Sequence, residues 1–275
     1  MPRSEPREPL LGEEPGEDML VAAMEANTQA AFLAWAGLIG AAIHDDPDRL
    51  WYMSGLPLGV GNSVLRASFT SSDPHAEIAA ALAPFRARSL AVAWFVGPGS
   101  RPADLPQRLA GYGFRPDAQP GLVADLIDLP APAPLPRGFT VERVADAAGM
   151  ADWTATLLRT DVFPAQAARI LADVQAEHPF QLHSAVHFYL GRQDGAPVST
   201  ALLFLAAGVA GLYCVGTVPE QRGAGRGTAV TVAALEGARA AGYRWAGLQS
   251  SPMGLPIYER LGFRQVCRFH LLFSF

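Results

Sequence analysis

The amino-acid sequence predicts a mixed α/β protein made of two tandem copies of one unit, and three observations carry that reading. Residues 129–137, LPAPAPLPR, put a proline at every second position, a composition of extended polyproline backbone and hence of a semi-rigid linker. The linker divides the chain into 19–128 and 138–275, behind residues 1–18, which lack periodicity and read as a disordered tail. An internal repeat then pairs AVAWFVGPGSRPADLPQRLAGYGFRPD (91–117) with YRWAGLQSSPMGLPIYERLGFRQV (243–266). Each copy is an apolar strand with a Trp, a Ser/Gly/Pro loop, a short amphipathic helix and Gly-Phe-Arg. The Trp-to-Gly spacing is 19 in one and 17 in the other, so the first loop is two residues longer. Gly113 and Gly262 fall where a helix C-terminus needs positive φ.

The second half supplies the third observation, an alternation of elements. GFTVERV (138–144) reads as a strand, and 147–177 has helical periodicity with Trp153, Leu157, Ile170 and Val174 apolar. SAVHFYLG (184–191) and VSTALLFLA (198–206) flank the turn RQDGAP and read as a hairpin. GLYCVGTV (211–218) is a strand that runs into a glycine-rich loop, and Thr228–Ala241 reads as a helix stopped by Gly242. YRWAGLQ is a strand, PIYERL a short helix with Pro256 at its first position, and RQVCRFHLLFSF a terminal strand region.

Composition excludes several chemistries. All 21 basic residues are Arg and none is Lys, which removes the Walker phosphate loop, the Schiff-base lysine and the lysine general base. A formal net charge of −5 argues against sequence-independent nucleic-acid binding. Cys214 and Cys267 lie in apolar surroundings without metal-site spacing and read as buried thiols in a reducing compartment. HDDPD (44–48) has the density of a metal site but lacks the regular ligand spacing and turn glycine, so it reads as a solvated loop before a strand at Trp51, and no metal is expected. ANTQAAFLAWAGLIGAAI (26–43) is too short for a membrane span and carries Asn27 and Gln29, so it reads as a buried helix. The N-terminus is acidic and Pro-rich where a signal peptide is basic then apolar, and a cytoplasmic protein is expected.

The loop between strand and helix, PEQRGAGRGT (219–228), is an anion site by composition. Unpaired helix N–H groups and the positive dipole end point at it, and glycine admits a close ligand. The dinucleotide fingerprint fails because Thr228 stands where the third glycine is due after Gly223 and Gly225. Arg-x-x-Gly-x-Gly fits as Arg222, Gly225 and Gly227. TVPEQRGAGRGTA resembles the acyl-CoA pyrophosphate loop of the GNAT superfamily of N-acyltransferases, and LPIYERLGF resembles that superfamily's catalytic-tyrosine helix. The resemblance covers most of 138–275, with its motifs in 211–263. It implies two tandem GNAT-like domains, each a mixed, mostly antiparallel sheet flanked by helices.

The resemblance also implies site roles. Backbone N–H groups of Gly223, Ala224, Gly225, Arg226, Gly227 and Thr228 would cradle the pyrophosphate of coenzyme A, with Arg222 and Arg226 adding charge. Val215, Gly216 and Thr217 would pair with the pantetheine arm, and Ser251 would contact the coenzyme. Tyr258 would protonate the departing thiolate. A tyrosine on a short amphipathic helix ordinarily packs half-buried; the flanking Leu-Gly-Phe and the loop favour the acid. The general base is open: 208–218 holds no Asp or Glu, and Glu220, His183, His187 and Tyr213 stand as alternatives to ordinary strand and loop residues. In the first half Leu109 takes the place of Tyr258, and nothing in 62–82 resembles RGAGRG, so that half reads as a degenerate copy. The expected activity is transfer of an acyl group from acetyl-CoA or a related acyl-CoA to a primary amine of a small molecule or peptide, by a monomer or homodimer with no membrane or nucleic-acid partner. A non-catalytic acyl-CoA-binding protein is the alternative.

Overall fold

The repeat seen in the sequence becomes an exchange of strands. In the computed structural model, which describes residues 10–274 apart from 116, 132, 178 and 180–183, the elements follow in order. The first half runs α1 (Glu17–Leu38), β1 (Ala42–Asp45), β2 (Arg49–Met53), β3 (Asn62–Ala67), α2 (Pro74–Arg86), β4 (Val92–Val96), α3 (Leu105–Ala110) and β5 (Ala118–Asp125). The second runs β6 (Phe139–Arg143), α4 (Ala147–Leu157), α5 (Ala165–Glu177), β7 (Val186–Gln193), β8 (Ala196–Ala206), β9 (Val209–Thr217), α6 (Arg226–Ala240), β10 (Trp245–Gln249), α7 (Leu255–Arg260) and β11 (Arg264–Ser274).

Among the described residues eleven strands share one sheet in the order β1-β2-β3-β4-β11-β5-β10-β9-β8-β7-β6. The two repeat copies are β4–α3–β5 and β10–α7–β11. Each copy's last strand is inserted between the two strands of the other: β11 pairs with β4 and β5, and β5 pairs with β10 and β11, all antiparallel. Gly113 (φ 90°) and Gly262 (φ 87°) make the same left-handed exit from α3 and α7 that sends the following strand across.

The hairpins of the second half follow local rules. Asp194 and Gly195 (φ 49° and 85°) join β7 to β8, and Ala207 and Gly208 (φ 52° and 76°) join β8 to β9, both two-residue turns with positive φ at each central position. Helices α6 and α7 cover one face of this half, burying Val230, Ala234, Leu235 and Leu261 against Tyr189, Leu203, Leu212 and Leu248. The opposite face takes α4, whose Trp153 packs edge-on to Phe188 and donates its indole N–H to Ala201 O at 3.1 Å. Helix α1 packs on that face too, crossing β8 and β9 as well as β2, β3 and β11. In the first half α2 and α3 bury Ile78, Phe85, Leu105 and Leu109 against Trp94, Val96 and Phe114.

Two sequence readings take a more exact form. Of the stretch read as a tail, Glu17 and Asp18 open α1, with Glu17 paired to Arg264 at 2.8 Å, and ahead of them Gly12 O accepts the Trp245 indole N–H. In HDDPD, His44 and Asp45 end a strand the sequence did not suggest, β1, and residues 46–48 form the turn ahead of β2, closed by Asp46, whose carboxylate accepts from Trp51 Nε1 and Arg49 Nε. No helix among the described residues is long and apolar enough to cross a membrane.

Leu109 is fully buried at the position where the second copy has Tyr258. Leu109→Ala should lower unfolding free energy by about 2–5 kcal/mol, read from the urea midpoint at constant m.

Candidate functional site

The site grows from the way β9 leaves the sheet. Strands β9 and β10 pair in parallel only at Ala210↔Ala246 and Gly211↔Gly247, after which they part. β9 continues for six further residues, to Thr217, opening a fork about 20 Å deep at the rise of an extended strand. A bulge shapes the fork. The β8–β9 register slips between Thr200↔Gly216 and Leu202↔Tyr213, so β9 carries one extra residue there. Cys214 takes φ 51° in the bulge, a left-handed conformation held by Thr200 Oγ1 donating to Cys214 O at 2.9 Å.

Beyond β9 the chain turns at Pro219–Gln221 and enters the glycine loop. Gly223 and Gly225 have φ of 79° and 77°, a geometry that places successive N–H groups on one side of the backbone. Gly225 is the N-cap of α6, and no side chain caps the helix. Among the described residues the backbone N–H groups of residues 223–228 have no hydrogen-bond acceptor, while the next one, Ala229 N–H, already bonds Gly225 O at 2.9 Å. A helix N-terminus with this many open donors and no carboxylate cap suits an anion.

The arginines brace this loop from outside. Arg222 donates to Thr217 O (3.0 Å), Thr160 O (2.7 Å) and Asp161 Oδ2 (3.1 Å), tying the loop to the turn after α4. Arg226 donates twice to Gln193 Oε1 (2.9 and 2.8 Å) and once to Gln221 O (3.1 Å). Neither Thr160 nor Gln193 stands out in the sequence, because each is contributed from a distant element. Gly216 admits no side chain, since a Cβ there would lie 2.6 Å from Thr160 Oγ1. Thr217 is locked by a 3.0 Å hydroxyl contact with Ser199. Val215 packs partly buried on the α6 face, and Pro136 of the linker borders Gly225.

Tyr258, from α7, sits on the α6 face in the same apolar cluster as Leu212 and Leu248, the residues that flank the parting strands. Its ring packs edge-on to Phe263 at 5.7 Å, and its hydroxyl makes no hydrogen bond among the described residues. Burial pushes its phenol up to about 12. Ser251 Oγ accepts from Gly254 N–H at 3.2 Å, so it serves as a cap where the chain enters α7.

The other candidates are brought elsewhere. Tyr213 is half-buried on the α1 face, opposite Tyr258, and donates to Asn27 Oδ1 at 2.7 Å. His187 lies on β7, separated from β9 by β8, with Nε2 at 3.0 Å from Ser184 O and its ionisation depressed by burial. Tyr213 thus lines the α1 side of the fork with its hydroxyl already committed, and His187 does not reach it. Glu220 is exposed in the turn, and His183 lies outside the described residues.

The first half shows the same fork stitched shut. β3 and β4 pair only at Ser63↔Ala93 and Val64↔Trp94, but Arg101 then enters the gap, donating to Ala67 O (2.9 Å) and accepting from Phe69 N–H (3.1 Å). The N-terminus of α2 is filled as well, by Asp73 Oδ1 accepting from Ala76 N–H at 3.1 Å. A carboxylate there already supplies the anion that the dipole attracts.

No protein-family model and no curated protein matches the chain. Solved structures do. The GCN5-related N-acetyltransferase from Kribbella flavida aligns with TM-score 0.66 and 23% identity, over 90% of this chain and 95% of that one. The GCN5-related N-acetyltransferase from Sphaerobacter thermophilus aligns with TM-score 0.56 and 16% identity, over 94% and 90%. A tandem GNAT protein from the clavulanic acid biosynthesis pathway aligns with TM-score 0.55 and 14% identity, over 94% of each chain. The chain therefore has the fold of the GCN5-related N-acetyltransferases. It is the tandem form of that fold, with both copies in a single sheet.

The buried phenol gives a direct test of the site. A group whose folded value is raised keeps its stabilising contribution below the unfolded value of about 10 and loses it as pH climbs toward the folded one. In a 295 nm difference titration of wild type against Tyr258→Phe, no phenolate from this residue should develop up to pH ~11.

Proposed function

We propose that this chain is a cytoplasmic N-acyltransferase that moves an acyl group, most simply acetyl, from acyl-CoA to a primary amine. The observation that carries the reading is the run of open N–H donors from Gly223 to Thr228 at the mouth of a strand fork. A pyrophosphate suits those donors. The unpaired edge of β9 from Val215 to Thr217 suits the two amides of pantetheine, which would bond it as a further strand does. Arg222 and Arg226 hold the loop in shape, and among the described residues the partners of Arg226 are neutral acceptors.

In this reading the amine nitrogen attacks the thioester carbonyl and forms the new C–N bond. The tetrahedral oxyanion is met by a backbone N–H at the bulge, the C–S bond breaks, and Tyr258 gives its proton to the departing thiolate. A phenol whose value burial pushes up to about 12 is protonated at every physiological pH and so holds the proton the acid step needs. The amine's own proton leaves to solvent or to a group of the acceptor, since the Tyr213 hydroxyl is committed to Asn27 and His187 lies beyond β8. The first half, with Arg101 in its fork, Asp73 on its helix and Leu109 for Tyr258, is read as a copy without a donor site.

A thermal-shift series with coenzyme A, acetyl-CoA, NAD and ATP at matched concentrations tests the assignment. Melting should rise with the coenzyme A species alone; a larger rise with NAD or ATP would remove the reading. Gly225→Asp should abolish the shift, because it puts a carboxylate at a left-handed position facing the phosphates. Tyr258→Phe should keep the shift and slow turnover about 10²-fold in an amine screen. Binding without turnover on any amine would favour a coenzyme A-binding protein instead.

A further inference from the structure

The inner end of the fork is closed by residues from the other half. Gly211 and Gly247 form the last rung between β9 and β10, and both lie under α1. A Cβ at Gly211 would run into Asn27 Oδ1, and one at Gly247 would lie 2.9 Å from Met24 Cγ. The two glycines are thus the space into which α1 lowers Met24 and Asn27.

Both residues are held firmly. Met24 is 2% exposed, and Asn27 Nδ2 lies 2.9–3.1 Å from the carbonyls of Phe204, Ala206 and Val209. The diverging strands are tied to the same helical turn: Tyr213 of β9 donates to Asn27, and Gln249 of β10 donates through Nε2 to Thr28 Oγ1 at 3.0 Å. The opposite face of the fork is sealed by the cluster of Leu212, Leu248 and Tyr258.

We propose that Met24 and Asn27 are the floor of the acyl pocket and restrict the donor to two- or three-carbon acyl groups. The inference rests on the donor reading above, in which coenzyme A enters at residues 223–228 and lies along β9. The acyl group is then the part of the donor that reaches deepest, and it meets the Gly211–Gly247 rung with Met24 and Asn27 already in place. Donor specificity would be set by the half that binds no donor.

Calorimetric titration of the full chain with coenzyme A and its acetyl, propionyl, hexanoyl and decanoyl thioesters tests this. Acetyl- and propionyl-CoA should bind alike, and hexanoyl- and decanoyl-CoA at least about tenfold more weakly, the scale on which an apolar pocket rejects extra methylenes. Met24→Ala should raise the hexanoyl-to-acetyl affinity ratio about tenfold; Met24→Val, a smaller truncation, should raise it less. Equal affinity for all chain lengths in the wild type overturns the inference even if both variants fail to fold. So does an unchanged ratio in a variant with a cooperative melt. Failure of coenzyme A itself to bind overturns the donor reading, and the floor assignment with it.

Discussion

Neither half of this chain can close its own sheet, and the rest of the structure depends on that constraint. β5 belongs by sequence to the first half yet supplies the strand that β10 and β11 need between them, and β11 does the same for β4 and β5. Removing either half would strip a backbone ladder from both sides of a central strand, leaving donors and acceptors that water or aggregation would have to satisfy. The exchange also places the two halves in one sheet plane, so that α1 reaches β8 and β9 instead of covering its own strands alone.

The contrast between the two forks shows how little separates an open cleft from a structural seam. Both copies begin with the same device, two parallel rungs followed by divergence. In the first, one extended residue, Arg101, completes the ladder and a carboxylate caps the helix. In the second, a bulge at Cys214 turns β9 away, Gly225 leaves the helix uncapped, and the donors stay open. Open backbone donors carry a desolvation cost wherever they are shielded from water. A fold keeps them where something else bonds them, and the arginine bracing to Thr160, Asp161 and Gln193 holds the loop in that uncollapsed shape.

What was legible in the sequence was local in the chain. The glycine loop, the Gly-Phe exits at Gly113 and Gly262, the Asp-Gly hairpin and the Leu109-for-Tyr258 replacement all depend on residues within a few positions of one another. The strand exchange was not legible, because an alternating apolar strand reads the same whichever sheet it joins. The arginines were misleading for a related reason: their charge marks the loop, but their partners, Thr160 O and Gln193 Oε1, lie tens of residues away. Asn27 showed only as a polar residue that spoils an apolar helix. Its three carbonyl partners come from a hairpin about 180 positions later in the chain.

Asn27 also shows what ties the first half to the second. A buried amide is costly unless every hydrogen-bonding group is matched, and here the match spans the β8–β9 hairpin, Tyr213 and, through Thr28, Gln249. The network fixes the position of α1 on the second half more narrowly than apolar packing alone, because a slip along the helix would strand several polar groups at once. Gly211 and Gly247 make the same point from the other side, as any side chain at either position would lift the helix off the rung. The first half thus carries two duties that do not require chemistry of its own: a strand that completes the sheet beside β10, and a helix that closes the fork where β9 and β10 part.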